Sequence, residues 1–126
     1  MVDRMKIKLI LAALTLLLTL PNLVFAIPGV PNQFYGYVTI NGQPAPDGTL
    51  VVVKIDGLEV ARTTTKGGKY GYDPIFYVED PNNDRSGKLV KFYVNGIDTG
   101  EFWYFCNGCV TRLDLSTEVQ TQEGGA

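Results

Sequence analysis

The sequence predicts an all-β protein, an antiparallel β-sandwich of about seven strands, and three observations carry that prediction. From Gln33 onward, short runs rich in Val, Ile, Thr, Tyr and Phe recur at close spacing. Asn-Gly, Asp-Gly and Gly-Gly pairs punctuate those runs, and such pairs supply the positive φ that tight turns need. Over the same stretch the apolar residues never hold the 3.6-residue spacing of an amphipathic helix.

The chain opens differently. Met1 to Lys8 is basic, Leu9 to Leu20 is an apolar run, and small residues stand at Val24 and Ala26. This order is that of a secretory signal peptide over residues 1–26, cleaved after Ala26. Pro21 and Asn22 interrupt the apolar run short of the roughly 20 residues that a spanning helix requires. The alternative is an uncleaved anchor, and in that case the protein meets a membrane only through this leader. Both readings place the remaining chain outside the cell or on its surface. Residues 27–32 then form a short linker, 33–116 the sandwich, and 117–126 a polar, flexible tail.

Taken in order, the expected strands are Gln33 to Ile40, Thr49 to Ile55, Leu58 to Thr65, Lys69 to Tyr72, Ile75 to Val78, Lys88 to Val94, Gly100 to Phe105 and Val110 to Leu115. Asp56-Gly57 and Asn107-Gly108 each lie between two runs and read as two-residue hairpin turns. Pro44 and Pro46 lack an N–H for a ladder, so Asn41 to Gly48 reads as a longer loop bringing the first two strands together.

Alternation assigns the faces. Val90, Phe92 and Val94 point to the core, with Lys91 and Tyr93 away from it. In the last strand Thr111, Leu113 and Leu115 share one face, with Val110, Arg112 and Asp114 on the other. A hairpin at Asn107-Gly108 would set Cys106 against Cys109, Phe105 against Val110, Tyr104 against Thr111 and Trp103 against Arg112. That register sends Phe102 and Tyr104 into the core and leaves Trp103 and Phe105 outside, with Arg112 stacked on Trp103.

Three segments form a connected series: Gly36-Tyr-Val38, Asn41-Gly-Gln-Pro44-Ala-Pro-Asp-Gly48, and Thr63 through Gly67-Gly68-Lys-Tyr70-Gly71. Across Phe34 to Tyr72 the chain resembles the carboxypeptidase regulatory-like, transthyretin-like β-sandwich domains, in the versions carried by archaeal secreted and surface proteins. The resemblance implies an immunoglobulin-like (prealbumin-like) topology with Tyr70 as a buried ring at a sandwich edge. Its motifs are structural, so it speaks to architecture and place rather than to chemistry. Related surface domains join a Lys on an early strand to an Asn on the last. Gln33 to Ile40 has no Lys and Val110 to Leu115 has no Asn, so that bond is not expected here.

Composition narrows the function. The full chain has 11 basic and 13 acidic residues; Arg4, Lys6, Lys8 and Asp3 belong to the leader, which leaves a net charge of −4 beyond Ala26. The basic residues are scattered among acids, so there is no footprint for a phosphate backbone, and nucleic acid is not an expected partner. There is no His, and Ser86 and Ser116 are the only serines. Ser-His and Cys-His nucleophile pairs and His-ligated metals are thereby removed. No catalytic residue and no cofactor are expected, and the protein reads as a non-enzyme.

Cys106-Asn-Gly-Cys109 is the sharpest local feature. In an exported chain an even pair of cysteines is most simply a disulfide. A redox motif would need a helix N-terminus to lower the thiol pKa, and zinc would need two more ligands from another chain. Asp80, Asn82 and Asp84 alternate as in the opening of a calcium loop. Arg85 replaces its turn glycine and Lys91 its closing Glu, so a solvated acidic loop is the better reading. The binding candidates are aromatic: Tyr93, Trp103 and Phe105 beside Arg112, and Tyr35 with Tyr37 on one face of the first strand. The expected role is a non-catalytic interaction or structural module whose partner is a protein or glycan at the cell surface. Two rivals stand beside it: a carbohydrate-binding accessory protein, and a polymeric surface subunit pairing through a free edge at Gln33 to Ile40.

Overall fold

The computed structural model describes residues 27–120. The leader assigned to residues 1–26 and the tail end at 121–126 lie outside the described residues. Ten strand segments follow in order: β1 (Gly29–Ile40), β2 (Gln43–Pro44), β3 (Leu50–Ile55), β4 (Leu58–Thr64), β5 (Lys69–Tyr70), β6 (Phe76–Asp80), β7 (Leu89–Val94), β8 (Ile97–Tyr104), β9 (Val110–Arg112) and β10 (Leu115–Thr117). They form two sheets packed as an all-β sandwich, the fold class that the strand spacing predicts.

The first sheet is organised on β1. Along one edge it pairs antiparallel with β6, β5 and β2; along the other it pairs parallel with β9 and then β10. The second sheet has the order β4-β3-β7-β8, with every neighbour antiparallel. Period-two alternation sends Phe34 and Val38 of β1, Val51, Val53 and Ile55 of β3, and Val90, Phe92 and Val94 of β7 into the space between the sheets. Phe34 and Phe92 meet edge-on there at 5.1 Å. Tyr70 is buried as expected, its ring 6.1 Å from that of Phe92, and its hydroxyl donates to the Leu113 carbonyl at 2.7 Å. Burial holds that hydroxyl protonated far above the usual tyrosine range.

Asp56 and Gly57, at φ of 52° and 75°, make the β3–β4 hairpin as predicted. The second hairpin lies elsewhere. Asn95 and Gly96, at 49° and 79°, join β7 to β8, so β8 starts at Ile97 rather than Gly100. Asn107-Gly108 closes no hairpin: β8 belongs to the second sheet and β9 runs beside β1 in the first. Its turn carries the chain between sheets, and the pairings expected across it do not form. Tyr104, Trp103 and Phe102 instead oppose Leu89, Val90 and Lys91.

Several boundaries shift, beginning with that of β1. It starts at Gly29, so residues 29–32 are strand and not linker, and Asn32 is fully buried. The last expected strand divides at Leu113 and Asp114, and Thr117 belongs to β10 rather than the tail. β5 stops at Tyr70, and a turn containing the cis Asp73–Pro74 peptide leads into β6, which reaches Asp80. Pro44 is accommodated in β2 opposite Thr39. The Asn41 to Gly48 segment folds back on β1 and then crosses to β3 in the other sheet, so it does not pair the first two long strands. With both edges occupied, β1 offers no free edge for polymerisation.

Candidate functional site

The outer face of the first sheet collects the aromatic rings. Tyr35 and Tyr37 project from β1 on the same side, as alternation predicts, because Phe34, Gly36 and Val38 take the inner side. Cross-strand register adds Tyr77, opposite Gln33, and Lys69, opposite Tyr37, while Arg112 comes from β9 opposite Tyr35. The turn after β5 contributes Tyr72, whose ring meets that of Tyr35 edge-to-face at 5.4 Å. Tyr37, Tyr72 and Tyr77 are each nearly half exposed, at 45%, 46% and 47%.

Cations interleave with the rings. Lys69 Nζ lies 5.5 Å from the Tyr37 centroid and 5.3 Å from that of Tyr72, and the Arg112 guanidinium lies 5.2 Å from Tyr37 on its neighbouring strand. Arg112 therefore packs on Tyr37 and not on Trp103, which sits across the sandwich on β8. Asp114 fixes the lower end of the face. It accepts the Tyr37 N–H at 2.9 Å and pairs with Arg112 at 3.3 Å. The Tyr37 bond, with help from Arg112 and against partial burial, holds the Asp114 carboxyl below its usual range.

The other aromatic candidates separate. Phe105 is 2% exposed and belongs to the core: just past the end of β8, its backbone bonds to Gly87 and Lys88 and its ring turns inward with Val90 and Phe92. Phe102 and Tyr104, expected inside, lie outside with Leu89 and Lys91, their rings 6.2 Å apart. Trp103 is half exposed at the β8 edge. Tyr93 faces outward on the second sheet, capped by Lys54 at 4.4 Å and Lys91 at 5.9 Å. The six binding candidates thus divide into Tyr35, Tyr37 and Arg112 on one face, Tyr93 on the opposite face, Trp103 at an edge and Phe105 in the core. Tyr72, Tyr77 and Lys69 were missed. Lys69 and Tyr77 join the face through pairing with β1, and Tyr72 through the turn that packs it on Tyr35, none of which local alternation reveals.

Cys106 and Cys109 form a disulfide across the intersheet turn, with Cα atoms 5.4 Å apart. A buried polar hub holds that turn. Asn32 Nδ2 donates to the carbonyls of Gln33 and Cys109 at 3.1 Å each and to Thr111 Oγ1 at 3.2 Å, and its Oδ1 accepts the Cys106 N–H at 3.0 Å. Asn107 Nδ2 donates to the Val30 carbonyl and to Asp80 Oδ2, both at 2.9 Å. A disulfide closing so short a loop contributes roughly 2 kcal/mol by the chain-entropy model. Reducing it, or replacing both cysteines with Ala, is expected to lower unfolding free energy by about that amount in urea titrations. A loss near zero would mean that Asn32 and Asn107 hold the turn unaided.

Asp80 is spent on the same hub. Its Oδ1 accepts the N–H groups of Asp84 and Arg85 at 3.0 and 3.1 Å, which closes the acidic loop, and its side chain is almost fully buried. Among the described residues, no group of three or more His, Cys, Asp or Glu is placed to hold a metal ion. Burial alone would raise the Asp80 pKa; the Asn107 amide, the two N–H donors and the charge of Arg85 outweigh it and hold the carboxyl below its usual range. A lowered folded pKa gives stability above the unfolded value of about 3.9 that is lost as pH falls through the folded one. The stability gap between wild type and Asp80→Asn is therefore expected to be widest at neutral pH and to narrow below about pH 4. Denaturation midpoints across that range would show it; a constant gap would contradict the assignment.

No family model matches the chain, and no curated protein matches it.

Proposed function

We propose that this protein is a non-catalytic interaction module of the cell exterior, exported by its leader, and that it binds through the tyrosine face of the first sheet. One observation carries the reading: Tyr35, Tyr37, Tyr72 and Tyr77 share a single face with Lys69 and Arg112, on a sheet whose central strand is paired along both edges. Rings on a rigid strand lose little conformational entropy on binding, and half-exposed aromatics with a polar tip suit a wet interface. The resemblance of Phe34 to Tyr72 to carboxypeptidase regulatory-like domains of surface proteins supports this setting, as does a disulfide, which persists outside reducing compartments.

Backbone amide NMR of the protein titrated with soluble polysaccharides and peptides tests the reading. Perturbations are expected over residues 33–37, 69–77 and 110–114. Perturbations confined to Leu89–Tyr93 and Phe102–Tyr104 would move the site to the opposite sheet and overturn the proposal. A carbohydrate-binding role is the second reading, favoured by the exposed rings of Tyr37, Tyr72 and Tyr77, on which sugars can stack. Both edges of β1 are paired, so no peptide strand can add to it.

A further inference from the structure

We infer that the ligand of the tyrosine face is an acidic polysaccharide, one whose sugar rings stack on tyrosine and whose carboxylates meet Lys69 and Arg112; this rests on the functional reading above. The charge pattern argues for it. Beyond Ala26 the chain has a net charge of −4, yet around Tyr37 cations are in excess. Lys66 pairs with Asp73 at 3.3 Å and Arg112 with Asp114, and among the described residues no carboxylate lies within ion-pair distance of Lys69. The ammonium of Lys69 is held instead over Tyr37 and Tyr72, an arrangement that keeps its charge outward, where an anion can reach it.

Arg112 adds a second donor on the other side of Tyr37; Asp114 takes its Nε and Nη2 at 3.3 and 3.4 Å in an exposed pair, which leaves Nη1 facing an incoming group. An incoming carboxylate can share its planar fork of N–H groups. The two cations thus flank one ring, so a chain lying across Tyr37 meets positive charge on both sides while its sugar rings contact the exposed tyrosines beside it, Tyr72 and Tyr77. A neutral polysaccharide would use only the rings. An acidic peptide would rely on the cations, and it would have no free β1 edge to follow.

Affinity electrophoresis and calorimetry with polygalacturonate and with its fully methyl-esterified form, which has the same backbone without the charge, test the inference. Polygalacturonate is expected to bind at low salt, with affinity falling as ionic strength rises, and the ester to bind at least several-fold more weakly. Lys69→Met and Arg112→Gln should each weaken binding about threefold, with Lys69→Arg restoring it. Lys54→Met, which removes the equivalent cation over Tyr93 on the opposite sheet, should have no effect. Equal binding of the ester at the tyrosine face would overturn the acidic specificity while leaving the binding face standing. Binding of polyglutamate equal to that of polygalacturonate, with the same sensitivity to Lys69→Met, would overturn the polysaccharide in favour of an acidic peptide. If neither pectin form nor any other polysaccharide or peptide perturbs the face, the functional reading fails with it.

Discussion

Asn32→Ala is expected to destabilise the protein by roughly 3–5 kcal/mol, one of the two largest effects of any single substitution considered for this fold. The side chain is fully buried and joins three parts of the molecule: β1, the disulfide turn and β9. Truncation to Ala leaves the partly buried Cys106 N–H without its acceptor and the Thr111 hydroxyl without its donor, while the Cys109 carbonyl keeps only the Gln33 N–H. An orphaned buried polar group costs about 1–3 kcal/mol, and Asn32 would orphan more than one. The loss should be visible as a lower urea midpoint at unchanged slope, and amide exchange should accelerate first at residues 105–111. Asn32→Asp is a useful second variant, since it keeps the acceptor for Cys106 but removes the donors. If Asn32→Ala costs under about 1 kcal/mol, the hub does not hold the turn.

Gly36→Ala should be comparably damaging, at roughly 3 kcal/mol or more, for a different reason. A Cβ at position 36 would sit 2.4 Å from the Leu113 carbonyl oxygen and 2.8 Å from Asp114 Oδ1. The nearest obstacle is backbone, so it cannot rotate away as the end of a flexible side chain would. Leu113 is held from both sides, its N–H by the Tyr35 carbonyl at 2.8 Å and its own carbonyl by the Tyr70 hydroxyl. Inserting a methyl there must displace the β9–β10 junction, break the Tyr70 bond and shift Asp114 away from the Tyr37 N–H. The expected result is a loss of stability together with weakened ligand binding at the tyrosine face, because Asp114 and Arg112 move with the junction. A Gly36→Ala protein of wild-type stability would show that the junction yields at little cost.

How far the fold was legible follows from which interactions are local. The inward set of β7, the Asp56-Gly57 hairpin and the shared side of Tyr35 and Tyr37 all depend on alternation or on two turn residues, so the sequence carries them directly. Asn107-Gly108 has the same turn chemistry as Asn95-Gly96, yet only the latter closes a hairpin. Positive φ permits a reversal without deciding whether the next strand returns beside the last or crosses to another sheet. That single difference inverted the assignment of Phe102, Tyr104 and Phe105, since register fixes which face each residue takes.

The candidate site shows the same division. Tyr35, Tyr37 and Arg112 were identifiable as exposed aromatic and cationic positions, and Cys106 with Cys109 as a disulfide. What placed Arg112 on Tyr37, brought Lys69, Tyr72 and Tyr77 beside them, and sent Trp103 and Tyr93 elsewhere was the pairing of β1 with five other segments. The acidic loop tells a similar story: Asp80 looked like a solvated carboxylate, and only the approach of Asn107 and β1 made it a buried anchor.

By itself, then, the sequence determined an all-β sandwich, the inner face of β7 and the disulfide, because alternation, turn propensity and cysteine count act over a few residues or on composition. Only the tertiary structure decided the sheet to which each strand belongs, the central place of β1, the buried Asn32–Asp80–Asn107 hub and the membership of the tyrosine face. Those depend on contacts between residues up to 79 positions apart, whose register is set by the packing of the whole core.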